Sequence, residues 1–282
     1  MSSNEPDFAK MRWAIVGAGR VGRTLGLLAD RLGVSSVTTW NRSSFGEKKT
    51  RELVAVDASF ASPLEDCAPA LVADADVVWI TAVDEAIEDV ARTLAEHVRD
   101  DQIALHTSGS LASTVLAEAG IEAAVGSLHP LQAITAPERA VERLGEVAWT
   151  LEGDPRALDF GRALLAEIGV EPVVIDPENK ALYHASAVTA ANLLVALMDA
   201  AFAIAEAAGI PRDEARAMLL PLAESCLENL EADSTADALS GPAARGDRAT
   251  IERHLEALAE LEDEQLVQIY QALTRRAEEL GK

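Results

Sequence analysis

The chain has 282 residues, 47 acidic against 24 basic, and a formal net charge of −23. So anionic a surface repels nucleic-acid phosphate and anionic lipid, which excludes both as expected partners. The length is enough for two domains with complete cores.

Met1–Lys10 is short and polar and shows no secretory pattern. No stretch is an uninterrupted membrane span. The apolar segment 185–208 is broken by Asn192, Asp199 and Glu206 and is expected to be a buried helix of a soluble chain. Cys67 and Cys226 lie far apart and form no motif, which fits a reducing cytoplasm rather than a disulfide scaffold or a cysteine metal site. The five histidines are dispersed, without His-x-x-x-His spacing, so no metal is expected. No G-x-S-x-G elbow marks a hydrolase. The carboxylates spread along helices, as at Glu252, Glu256, Glu260 and Glu264, and read as solvated faces.

The first predicted strand, 12–16, runs into Gly17-Ala18-Gly19-Arg20-Val21-Gly22, which opens a helix over 20–32 with apolar residues at 21, 25, 28 and 32. In that strand–turn–helix setting a G-x-G-x-x-G is a dinucleotide fingerprint. The first glycine permits the turn, the second lets backbone approach a diphosphate at the helix N-terminus, and the third allows close helix–strand packing. A second strand, 36–40, ends in Asn41-Arg42-Ser43. An acidic residue there would hold a ribose 2′-hydroxyl, whereas Arg42, with Asn41 and Ser43 as donors, suits a 2′-phosphate. Lys48 and Lys49 add positive potential. The expected cofactor is therefore NADP(H); the plainer alternative is a solvated polar loop.

Next come helix 45–51, strand 53–56 and helix 63–73. Strand 77–82 carries Thr81, Ala82 and Val83 toward the ribose and nicotinamide, with Asp84 as the cap of a helix over 84–98. Strand 102–106 ends in His106-Thr107-Ser108-Gly109-Ser110. There Ser108 and Gly109 face the nicotinamide or the substrate, unless Ser110 simply caps the helix 111–119. Strand 123–128 ends at His129, fixed by Pro130 and suited to hydrogen-bond a carbonyl or hydroxyl oxygen, or else a structural surface histidine. Strand 146–151, helix 155–168 and strand 171–175 complete a mostly parallel α/β sheet with helices on both faces.

Asp176-Pro177-Glu178 ends that pattern. Only helices are predicted beyond it, at 178–208, 212–231, 235–239 and 248–280. The expected organisation is a Rossmann domain over 1–176 and an all-helical domain over 177–282. Lys180, His184 and Asn192 fall on one side of the first of these helices, and Asn192 is expected to be buried against cofactor, substrate or an adjacent helix. A loop from Gly241 to Asp247 presents Arg245, either as a bidentate clamp for a carboxylate or as the neutraliser of a nearby acid, with Asp247 capping the next helix.

Five motifs in this order resemble one family. They are Gly17–Gly22, His106-Thr107-Ser108-Gly109, His129-Pro130-Leu131-Gln132, Tyr183-His184-Ala185 with Asn192, and Gly241-Pro242 with Arg245-Gly246-Asp247. The family is the Rossmann-like oxidoreductases whose C-terminal helical domain is catalogued as domain of unknown function 2520. The architecture is similar to pyrroline-5-carboxylate reductase, 6-phosphogluconate dehydrogenase and ketopantoate reductase, and the resemblance implies ketopantoate-like reduction. Ketopantoate reductases and β-hydroxyacid dehydrogenases place a catalytic Lys early on the first interdomain helix with an Asn one turn on. Lys180 matches the Lys; His184 stands at the Asn position, so His184 with Asn192 replaces the pair. Ser127-Leu128-His129-Pro130 is similar to a Ser-His-Pro stretch of prephenate dehydrogenases. Those enzymes carry Gly and Glu soon after it, where this chain has Leu131-Gln132-Ala133, and that substrate is not implied.

The expected protein is an NADPH-dependent reductase of a small 2-oxo acid or imino acid. His184 or Lys180 protonates the developing alkoxide, with His129 as a third candidate acid; Asn192 and Ser108 orient the substrate, and Arg245, in cis or from a partner subunit, binds its carboxylate. The long apolar helices of the second domain point to a homodimer. The competing class is a non-catalytic NADP-binding sensor or scaffold module. A deazaflavin hydride carrier ranks third, because nothing marks a second cofactor pocket.

Overall fold

The computed structural model describes residues 6–281, so the first five residues of the polar N-terminal segment and Lys282 lie outside the described residues. The chain divides into two compact units, Met1–Ala187 and Val188–Lys282.

Unit 1 alternates strands and helices: β1 (Arg12–Val16), α1 (Arg20–Leu32), β2 (Ser36–Trp40), α2 (Ser44–Leu53), β3 (Ala58–Phe60), α3 (Leu64–Val72), β4 (Val77–Ile80), α4 (Asp84–Leu94), β5 (Ile103–His106), α5 (Thr114–Glu118), β6 (Ala124–Pro130), α6 (Pro137–Glu142), β7 (Trp149–Gly153), α7 (Pro155–Ala166), β8 (Val173–Val174) and the start of α8 (Lys180–Ala190). The eight strands form one sheet in the order β3-β2-β1-β4-β5-β6-β7-β8. Every neighbouring pair is parallel except β6 and β7. Both faces of this sheet are covered, which is why its central strands read as unbroken apolar runs. Alternate residues feed opposite cores. Ala14, Val16, Val78 and Ile80 pack under α3 and α4, while Trp13, Ile15, Val77 and Trp79 pack under α1 and α7. In the second core Trp13 and Trp79 lie 5.4 Å apart, with Phe160 against both. Burying each such large side chain contributes about 1.5–3 kcal/mol or more. The strand order reverses between β1 and β4, which sets a crevice beyond the carboxyl ends of those strands.

Several expected elements shift. No strand forms at 53–56. Ser43 caps α2 by accepting from Gly46 N–H, the helix runs to Leu53, and the apolar Val54 is buried against Gly26, so the strand starts at Ala58. The strand expected at 146–151 lies at Trp149–Gly153, where it pairs with β6, and only Val173–Val174 of the expected 171–175 joins the sheet. His129 stands inside β6 rather than beyond it, opposite Thr150. Ser110 does not cap α5, which begins at Thr114, and Asp84 is the first residue of α4 rather than its cap.

Unit 2 is helical: α9 (Asn192–Ala207), α10 (Arg212–Ala232), α11 (Thr235–Ala238), α12 (Arg248–Ala259) and α13 (Glu264–Leu280). The helix expected over 248–280 is two, because Glu262 takes φ 53° and Asp263 caps α13, accepting from Gln265 N–H at 3.0 Å. The helix expected over 178–208 is also divided: a 3-10 turn at Pro177–Asn179, then α8, then α9 after a break at Ala191. Segment Pro177–Ala207 is long and apolar enough to cross a membrane by length and composition, with a mean hydropathy of 1.9 over an 18-residue window of which only 11% is buried. The expectation of a buried helix is thus corrected: Leu193 and Val195 are 53% and 71% exposed.

Candidate active site

The glycine turn is suspended from the end of β2: Gly17 and Ala18 N–H donate to Trp40 O at 3.0 and 2.9 Å. Gly17 takes φ +90°, and a Cβ there would lie 2.9 Å from Ala82 N. Gly22 is pressed onto β4, where a Cβ would come 2.6 Å from Thr81 Oγ1. That hydroxyl donates to Gly17 O at 2.8 Å, locking the turn to the strand. Gly19 differs: a Cβ there would meet nothing closer than 3.7 Å, so its side is open. It is the N-cap of α1 without a side-chain cap, and the first helical N–H bond comes from Arg23 to Gly19 O. The N–H groups of Arg20, Val21 and Gly22 therefore have no intrahelical acceptor, an arrangement that fits an anionic diphosphate.

At the end of β2, Asn41 is buried. Its Oδ1 lies 3.3 Å from Thr50 Oγ1, and its Nδ2 is buried with no partner among the described residues. Arg42 is exposed. Ser43 Oγ accepts from Gly46 N–H at 3.2 Å and keeps its own proton to donate. The two lysines expected to add potential have local partners: Lys48 pairs with Glu52 at 3.8 Å, and Lys49 lies 4.5 Å from the Phe45 ring centroid. Among these donors, an orphaned amide and an open guanidinium match a 2′-phosphate.

A second constellation lies where the α3–α5 face of the sheet turns polar. His106, Ser127 and Glu152 stand in register across β5, β6 and β7, with His129 and Thr150 opposite each other one pleat on. Over them the start of α8 brings Lys180, Tyr183 and His184. Lys180 is 1% exposed; Nζ donates to Glu152 Oε1 at 3.1 Å and also to Ser127 Oγ. Glu152 further accepts from Ser113 N–H at 2.8 Å and Ser113 Oγ at 2.7 Å, and Ser127 Oγ donates to Ser108 O at 3.2 Å. Burial lowers the Lys180 pKa, and the Glu152 charge opposes that shift.

His129 Nδ1 lies 2.8 Å from Tyr183 Oη, the rings meeting edge-on at 81°. The His184 ring is 5.9 Å from that of His129, and both close over Gly109. A Cβ at Gly109 would lie 2.4 Å from His184 Nδ1 and 2.9 Å from His129 Nε2, so only glycine fits. His184 Nδ1 is buried without a partner among the described residues. Burial, then the Lys180 and His184 charges, push His129 down to about 4. Burial and Lys180 hold His106 at about 3, and its Nδ1 accepts from Ser108 N–H. Burial raises the Tyr183 phenol.

Thus His129, His184, Lys180, Ser108 and Gly109 come together in unit 1. Lys180, however, is enclosed by Glu152 and Ser127 and presents no free ammonium. Ser108 Oγ accepts from Ser110 N–H at 3.1 Å and Leu111 N–H at 3.0 Å, and Ser110 Oγ donates to Asp84 Oδ2 at 2.5 Å, so Ser108 first shapes its own loop. Asn192 is not buried beside His184: the break at Ala191 interrupts the periodicity that aligned them, and Asn192 begins α9 exposed. In unit 2 Asp247 caps α12, accepting from Thr250 Oγ1 at 2.8 Å and Thr250 N–H at 3.1 Å, and these bonds, then the Arg253 and Arg245 charges, hold its carboxyl low. Glu152, Ser113, Ser127 and Tyr183 had no assigned role in the sequence. A carboxylate inside an otherwise apolar strand, Trp149-Thr150-Leu151-Glu152, was the one available signal for Glu152.

A model of a Rossmann-like domain matches residues 2–130, and one of the domain of unknown function DUF2520 matches residues 147–277. No curated protein matches the chain. Among solved structures, protein BF3122 of Bacteroides fragilis, described as a candidate NADP oxidoreductase, is similar with TM-score 0.78 at 22% identity, over 96% of this chain and 99% of its own. Protein TM1727 of Thermotoga maritima has TM-score 0.72 at 23% identity, over 96% and 98%. Plasmodium falciparum pyrroline carboxylate reductase, solved with NADP bound, has TM-score 0.61 at 12% identity, over 98% and 100%. These likenesses establish a shared fold. The chain thus carries a Rossmann-like domain over residues 2–130 followed by a DUF2520 domain over residues 147–277.

Proposed function

We propose that the protein is an NADPH-dependent reductase of a small 2-oxo acid or imino acid, with ketopantoate as the model substrate. The observation that carries this is Arg42, exposed beside the orphaned Asn41 amide at the end of β2, next to a glycine turn whose open side is at Gly19. That combination suits a dinucleotide with a 2′-phosphate. The NADP bound in the similarly folded Plasmodium reductase supports the same choice.

The residues present fit such a cofactor. Gly17–Gly22 would hold the diphosphate, Asn41, Arg42 and Ser43 the 2′-phosphate, and Thr81–Val83 with Ser108 and Gly109 the nicotinamide side. When bound, the dinucleotide supplies hydride to a carbonyl or imine carbon. The chain's own task is to orient that carbon and provide a proton. Lys180 acts here through position: its ion pair with Glu152 pins the start of α8, which carries Tyr183 and His184 to His129. We assign Arg245 to the substrate's carboxylate and expect Arg245→Ala to raise KM with kcat kept. We also assign a homodimer, because Leu182, Leu193 and Val195 leave α8 and α9 with apolar surface that needs a cover.

Turnover tests the assignment. NADPH is incubated with the protein and a panel of 2-oxo acids and cyclic imino acids, ketopantoate included, and its absorbance is followed. Oxidation dependent on one of them is the expected result. Tight NADPH binding with no oxidation on any would indicate the non-catalytic NADP-binding module instead.

A further inference from the structure

We propose that Tyr183, held by His129, is the proton donor that completes the reduction. This rests on the reductase assignment.

The neighbouring groups are each occupied or closed off. The Lys180 ammonium is enclosed between Glu152 and Ser127. His106 is fully buried and its Nδ1 takes the Ser108 N–H. The Ser108 oxygen receives two backbone N–H groups. His184 Nδ1 has no hydrogen-bond partner among the described residues, but it is buried against Gly109 and closed to a substrate. His129 holds no extra proton at neutral pH, since burial keeps it neutral down to about 4. The Tyr183 phenol is the remaining acid, and burial keeps it protonated throughout the neutral range. The residue is half-buried rather than enclosed, and its Oη lies 2.8 Å from His129 Nδ1.

The polarity of that bond decides the chemistry. A neutral imidazole protonated on Nδ1 donates to Tyr183 Oη, which leaves the phenolic hydrogen free to point at the substrate. As hydride adds to the carbonyl carbon, the C=O π pair moves onto oxygen, and that oxygen takes the phenol's proton; with an imine, nitrogen takes it. The phenolate left behind keeps the His129 N–H bond and regains a proton from water after product leaves. The groups on the phenol are His129 from β6, at 2.8 Å, and Thr150 from β7, while Lys180, His184 and Asp84 act on His129. Lys180 is closed to substrate between Glu152 and Ser127, so the group whose protonation the transfer needs, and which sets the alkaline limb of kcat, is the phenol.

The chain has two tyrosines, so in a Tyr270→Phe background Tyr183 gives the one phenol signal. Carbon-13 NMR of the ring, read without turnover, should show it titrating above its ordinary value of 10.0, and later still in His129→Asn, which removes the stabilising donor. In the full-length protein with NADPH and either ketopantoate or 1-pyrroline-2-carboxylate, Tyr183→Phe should lower kcat by roughly 10²–10³-fold, leave NADPH affinity unchanged and abolish the alkaline limb. A phenol titrating below its ordinary value, or a Tyr183→Phe variant as fast as the unmodified enzyme, overturns the proposal and leaves the reductase assignment intact. If the unmodified protein binds NADPH and oxidises it on neither probe nor any member of the wider panel, the reductase assignment fails and takes this one with it.

Discussion

The Lys180 ammonium lies 3.1 Å from the Glu152 carboxylate, and both side chains are closed to solvent. The pair ties the first turn of α8 to β7 across 28 residues of chain. Its Coulomb gain is offset by desolvation, so its value lies in position more than in stability. Removing one partner strands a buried charge. Lys180→Met or Glu152→Gln is expected to cost about 3–5 kcal/mol in denaturant unfolding, while Lys180→Met with Glu152→Leu recovers most of it. If both single variants prove as stable as the unmodified protein, the pair does not anchor the helix.

Acid should weaken unit 1 through two histidines. His106 and His129 have folded values of about 3 and about 4 against an ordinary 6.5. As pH falls below about 6.5 the unfolded chain binds protons that the folded chain refuses. The stability these groups confer is therefore complete above that pH and lost as pH falls toward 3–4. Urea midpoints across that window should fall less steeply for His106→Asn than for the unmodified protein; parallel slopes would show that His106 is not the buried neutral group described.

Gly109→Ala should be damaging although it adds one carbon. The methyl would sit 2.4 Å from His184 Nδ1 and 2.9 Å from His129 Nε2. Both rings must move, at a cost of about 1–3 kcal/mol. Imidazole and phenol NMR signals should report loss of the His129–Tyr183 bond, while Gly33→Ala, where a Cβ meets nothing but φ is +69°, should leave those signals in place.

The exposed leucines and valines of α8 and α9 carry a prediction of assembly. Leu193→Glu with Val195→Glu should turn a dimer into a monomer in sedimentation velocity. An unmodified protein that sediments as a monomer at micromolar concentration would remove the need for a partner surface.

Much of the fold was legible because its signals are local. The glycine turn, the β2 terminus and the alternation of strands and helices each depend on residues adjacent in sequence. What stayed hidden depends on distant partners. Glu152 gains meaning only when β7 sets it opposite Ser127 and under Lys180. Tyr183 was visible as part of a motif, but its role needs His129, which lies 54 residues away. The apolar Val54 reads as strand until its burial against Gly26 is known. The break at Ala191 has no proline or glycine to announce it, so Asn192, expected to be buried within one continuous helix, instead begins α9 exposed.

Calorimetry with both pyridine dinucleotides tests the central claim most directly: a cationic 2′-phosphate site in an otherwise acidic chain. NADPH should bind the unmodified protein at least ~10-fold more tightly than NADH, and Arg42→Asp should erase that preference while unfolding stability is kept, as expected for a lost charge-assisted contact. Equal affinity for the two dinucleotides, or no heat with either, would contradict it.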